Sequence, residues 1–74
     1  MAKKRIKWID AVVKAPLNLR TAPSLEAQKL CIMGKGEHIK ISKCDESCPI
    51  GWVKVRFMDL EGFAMFEWIE VVNN

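Results

Sequence analysis

The sequence predicts an all-β domain, five to seven short strands forming a small barrel or sandwich. Three segments, Leu17–Arg20, His38–Ser42 and Trp52–Phe57, alternate apolar and polar residues with period two. That is the pattern of strands with one buried face. Turn-forming clusters recur about every ten residues, and no segment reads convincingly as a helix.

Each element follows from its residues. Ile9 to Val13 is a short apolar run closed by Lys14-Ala15-Pro16, and Pro16 keeps its neighbourhood extended. Leu17 and Leu19 point one way along the next strand, Asn18 and Arg20 the other. Thr21 to Ala27, with Pro23 and Ser24, reads as a loop. Leu30-Cys31-Ile32-Met33 is a second apolar run. Gly34-Lys35-Gly36 follows, whose glycines permit the positive φ of a tight hairpin turn into His38–Ser42. There Ile39 and Ile41 are the inward residues. Asp45 to Gly51, with Pro49, is a loop. Val53, Val55 and Phe57 then face inward against Trp52, Lys54 and Arg56. Asp59-Leu60-Glu61-Gly62 reads as a turn, Phe63 to Phe66 as a strand, and Ile69 to Val72 closes the chain.

Composition bounds the size and partners. With 74 residues there is room for one modest core, burying only about 60% of the unfolded surface. Half the residues are apolar and 28% are charged, a globular balance. Lys3, Lys4, Arg5 and Lys7 form a basic N-terminal arm over residues 1–8, ahead of a domain at 9–74. Removing those four from the 12 Lys and Arg leaves eight against nine Asp and Glu, a body of net −1. The net charge of +3 is thus a property of the arm. This argues against nucleic acid as the partner, because phosphate binding needs a basic surface. No apolar run matches a secretory signal or the ~20 residues of a membrane span. The expectation is a chain that stays in the compartment where it is made, with no membrane partner, unless it is an excised or released module of the cell wall.

Several motifs stand in a telling order: Leu17-Asn18-Leu19-Arg20, Pro23-Ser24, Lys35-Gly36, Ile39-Lys40-Ile41, Gly51-Trp52-Val53-Lys54-Val55, Gly62-Phe63-Ala64 and Trp68-Ile69. From Val12 to Val72 this order resembles the bacterial SH3-like (SH3b) domain. Phe63-Ala64 and Trp68-Ile69 depart mildly from that family's usual Trp-Val and Tyr-Leu. The loop from Lys43 to Ile50 is this chain's own. The resemblance implies an SH3-like, partly open barrel and non-catalytic binding of a protein surface or short peptide. Such a module could act alone, as small regulators or phage-encoded inhibitors do. The family's other common ligand, the peptide of the bacterial cell wall, is the alternative. Proline-rich ligands fit poorly, because the chain has no tyrosine and such grooves are lined by several aromatic rings.

Candidate ligand-binding residues follow from the alternation. Trp52, Lys54 and Arg56 share the outer face of one strand, where a large aromatic beside two cations suits a peptide or acidic partner. Asn18 and Arg20 project from the other outer face, either to bind or to tie down the following loop. Phe63 is a further candidate, since Trp52, Phe63 and Trp68 together would be the platform if a proline-rich segment were the ligand after all. Trp8 is either packed on the barrel or an exposed anchor. Trp68 is expected as a lid on the core.

No catalytic, cofactor or metal site is expected. His38 lies on a strand with no nucleophile motif around it, and Cys-His chemistry needs both within hydrogen-bond reach. Cys31, His38, Cys44 and Cys48 superficially offer a zinc set. With a hairpin centred on Lys35, Cys31 lies opposite about Ile39. Cys44 is then roughly 16 Å further along the sheet, too far for one metal. A Cys44–Cys48 disulfide is geometrically possible, but an odd count of three fits free thiols better. Asp45-Glu46 reads as loop solvation.

Overall fold

The structure, a computed structural model, describes residues 7–43 and 48–72. Seven antiparallel strands and one 3₁₀ turn account for most of them: β1 Ile9–Val13, β2 Leu17–Arg20, β3 Lys29–Met33, β4 His38–Lys43, β5 Trp52–Phe57, β6 Leu60–Met65, η1 Phe66–Trp68 and β7 Ile69–Val71. They form a single sheet in the order β3-β2-β6-β5-β4-β1-β7. The all-β expectation holds. The sheet is not closed, since no ladder joins β3 to β7 among the described residues.

One core nevertheless serves every strand. Ala11 and Val13, Leu17 and Leu19, Met33, Ile39 and Ile41, Val55 and Phe57, Ala64, and Ile69 form a single buried apolar cluster. A flat sheet spreads such residues along one plane. Here the twist of the strands curls the sheet until both its ends reach the same core. The alternation expected for β2 is what the structure shows. In β4 it holds to Ile41, but Ser42, expected outward, is buried. In β5 it holds from Val55 to Phe57, while Trp52, Val53 and Lys54 are all half-buried.

Three local expectations are corrected. First, β3 and β4 are not a hairpin: β3 pairs only with β2, Leu17 opposite Met33. Strand β4 lies between β1 and β5, Ile41 facing both Ile9 and Val55. The Gly34–Glu37 turn still uses a positive φ, +86° at Gly36. It docks on β1 instead, the Gly36 N–H donating to the Val13 carbonyl at 2.7 Å and the Val13 N–H to the Glu37 carbonyl at 3.1 Å. Both edges of β4 are taken by longer-range ladders, so local closure loses. Second, Gly62 is not a turn residue. It is buried inside β6, opposite Val55, and a Cβ there would collide with the Arg20 carbonyl oxygen. The bare backbone lets β2 cross close over β6. Third, Trp68 is 43% exposed, on η1, and is not a core lid.

The actual β5–β6 turn is Met58-Asp59, between the paired Phe57 and Leu60. Met58 sits at φ +56°, a region that costs an L residue about 1–2 kcal/mol. Its side chain is 80% exposed, so little packing is lost by removing it. Met58→Gly is expected to stabilise by roughly 0.5 kcal/mol, after the larger backbone entropy of glycine is subtracted. The thermal midpoint should rise by roughly 2–4 °C. An unchanged or lower midpoint contradicts this account of the turn.

Candidate functional site

The outward residues of β2, β6, β5 and β4 lie in registered rows. Arg20 pairs with Phe63, Phe63 with Lys54, and Lys54 with Ser42. One step along, Trp52 pairs with Met65. In the other direction Glu61 pairs with Arg56, Arg56 with Lys40, and Lys40 with Asp10. The seven candidate residues therefore do not form one patch. They fall into a groove, a central strip and a charged cleft.

The groove holds about 190 Å³ between β2, β5, β6, η1 and the 21–28 loop. Asn18, Arg20 and Trp52 line it, as the alternation leads one to expect. Pro16, Leu25, Met65 and Trp68 line it too, and the pattern of the sequence did not reveal them. Trp68 is held in place from two sides. Its carbonyl accepts the Lys14 N–H at 2.8 Å, and the Phe66 N–H at the start of η1 donates to the Gly51 carbonyl, also at 2.8 Å. Leu25 is 64% exposed on a loop closed by the Thr21 N–H donating to the Gln28 carbonyl at 2.9 Å. Within that loop the Glu26 N–H donates to Ser24 Oγ at 3.1 Å. The Arg20 guanidinium fixes the loop by donating to the Leu25 carbonyl at 2.9 Å and the Ala27 carbonyl at 3.0 Å. Of the two roles weighed for Arg20, the loop tie is the one with bonds on it. An isolated exposed leucine in a polar loop is the only sequence signal that pointed to this wall.

The central strip carries Phe63 and Lys54, both half-buried. Lys54 makes no ion pair among the described residues.

The cleft, about 470 Å³, is lined by Asp10, His38, Lys40, Arg56 and Met58, with Ile39 and Val72. Its charges compensate in sequence across four strands. Arg56 Nη2 donates to Glu61 Oε2 at 2.8 Å, and Lys40 Nζ to Asp10 Oδ1 at 2.7 Å. Hydrogen bonding from Lys40, with its charge, holds the Asp10 carboxyl below the usual carboxylate range. The Arg56 guanidinium also lies over the Trp8 ring, 5.4 Å from its centroid, a cation–π distance. Of the two places weighed for Trp8, the structure gives packing on the sheet, half-buried.

Among the described residues no group of three or more His, Cys, Asp or Glu could hold a metal ion. The spacing argument against zinc rested on the β3–β4 hairpin and lapses with it, while Cys44 lies outside the described residues. Cys31 is a free, half-buried thiol. Cys48 is disulfide-bonded, which corrects the expectation of three free thiols. The Cys44–Cys48 pairing and the Asp45-Glu46 reading fall outside the described residues, as does most of the basic arm. No helix is long and apolar enough to cross a membrane among the described residues.

Comparisons with protein-family models, with curated proteins and with solved structures found no match to the chain.

Proposed function

We propose that this protein is a non-catalytic binding module of SH3b type, recognising a protein surface or short peptide through its outer groove. The observation that carries the reading is the convergence of Trp52, Trp68 and Leu25 on one open groove, with Trp68 43% and Leu25 64% exposed. Exposed large apolar side chains gathered in one place mark interaction sites. Tryptophan in particular supplies much contact energy per residue. The volume of about 190 Å³ lies below the roughly 300–1,000 Å³ of small-molecule sites. It suits one or two inserted side chains rather than a cofactor. The SH3b-like motifs Leu17-Asn18-Leu19-Arg20 and Gly51-Trp52 supply two of the groove walls, which supports the family reading from the same residues.

The test compares wild type with Trp52→Ala, immobilised and exposed to soluble lysate in one arm and to purified bacterial cell walls in the other. Trp52 is half-buried at a strand end, so the variant should stay folded. A protein captured by wild type and reduced at least about tenfold by Trp52→Ala, the size of a loss at an interface hot spot, is expected. Co-pelleting with walls, lost in the same variant, would transfer the role to cell-wall peptide. Equal behaviour of the two proteins would remove the groove from the account.

A further inference from the structure

The rows across the outer face say something about what the ligand carries. Lys40 and Arg56 each have a carboxylate of this chain within hydrogen-bond distance, at 2.7 and 2.8 Å. Lys54, next to them on the same face, has none among the described residues. It is half-buried and sits between Phe63 and Ser42 across the sheet and two residues from Trp52 along it. An ammonium with no carboxylate of its own chain among the described residues, on a side chain whose row neighbour is Phe63, can donate a charge-assisted hydrogen bond to a ligand carboxylate.

We infer that the groove and strip together take an extended peptide in which an apolar or aromatic residue and a carboxylate stand two positions apart. The inference rests on the proposed binding role and specifies its ligand. The spacing comes from the strand itself. Side chains two apart on one face lie about 6.6–7 Å from each other, in β5 and in any extended ligand alongside it. The apolar side chain meets Trp52 and Trp68 while the carboxylate meets Lys54 Nζ. Lys40 and Arg56 are neutralised within the chain, and the Arg20 guanidinium, which has no carboxylate partner among the described residues, is engaged by two loop carbonyls. That leaves Lys54 to meet one acidic side chain, and two uncompensated cations are too few for a nucleic acid, whose binding draws on several phosphate contacts.

Two acetylated, amidated pentapeptides test this, one with tryptophan and aspartate two positions apart and one with asparagine replacing the aspartate. Titration followed by amide shifts of the intact protein should show both peptides moving Trp52 and Trp68. The aspartate peptide should bind roughly fivefold tighter, the scale of a partly exposed ion pair. Lys54→Gln should abolish the difference and Lys54→Arg should keep it. If the two peptides bind wild type alike, the carboxylate requirement is wrong while the groove stands. If neither moves Trp52 or Trp68 up to about 5 mM, weaker than any affinity of use here, the binding reading falls as well. If an oligothymidylate binds at these residues more tightly than either peptide, with a steep salt slope, the ligand is phosphate and the inference is overturned.

Discussion

Gly62→Ala should be among the most damaging single-methyl changes in this protein. The added Cβ would run into the Arg20 carbonyl oxygen and stand 3.1–3.2 Å from the Leu19 side chain. A side chain can rotate away. A carbonyl in a paired strand cannot move without taking β2 with it. Gly62 has an ordinary negative or extended φ, so alanine is not excluded by its backbone angles, and the cost is steric alone. Overpacking against a fixed backbone belongs at the upper end of its usual range, about 3 kcal/mol. For a domain of this size that lowers the thermal midpoint by roughly 12–24 °C. A melt within a few degrees of wild type would mean that β2 does not cross β6 where the structure puts it.

Leu19→Ala attacks the same crossing from inside. Leu19 is fully buried and belongs to the cluster that every strand shares. Removing its isobutyl group loses transfer free energy and leaves a cavity, together about 2–5 kcal/mol. A 74-residue domain has only about 4–11 kcal/mol to lose, so denaturant unfolding should shift sharply. The double variant separates the two causes. If Leu19 were the obstacle to a Cβ at position 62, trimming it would rescue Gly62→Ala. Because the obstacle is the Arg20 carbonyl, the double variant should be no more stable than the worse single one. Recovery toward wild type would refute that. Both changes should also weaken ligand binding, because β2 carries Asn18 and Arg20 into the groove.

The inward half of the molecule was legible in the sequence because a period of two assigns faces without reference to neighbours. Leu17, Leu19, Ile39, Ile41, Val55 and Phe57 are all buried where alternation put them. Pairing was not legible. The glycines at 34 and 36 looked like a hairpin, but β1 and β5 take the two edges of β4 and β2 takes β3, partners that no local signal names. Met58 gave no warning, since methionine has no turn chemistry. Gly62 gave the wrong one, because a glycine needed for close approach looks the same in a sequence as one needed for a turn. The groove was half legible for the same reason. Asn18, Arg20 and Trp52 followed from alternation within strands. Leu25, Met65 and Trp68 reach it by tertiary routes, through the Arg20 loop tie, the β5–β6 register and the η1 anchors. Arg56, assigned to the same face by alternation, lies in the charged cleft instead, with the Trp8 ring against its guanidinium.

The groove depends most on β2 pairing with β6, the ladder that brings Asn18, Arg20 and the loop carrying Leu25 beside Trp52. Long-range nuclear Overhauser contacts in the native protein test it directly. Cross-peaks from the Phe63 backbone to Arg20, and from the Trp52 indole to Pro16 or the Leu25 methyls, are the predicted result. Their absence, with a Cys31 Hα to Ile39 Hα cross-peak in their place, would restore the β3–β4 hairpin and dissolve the groove.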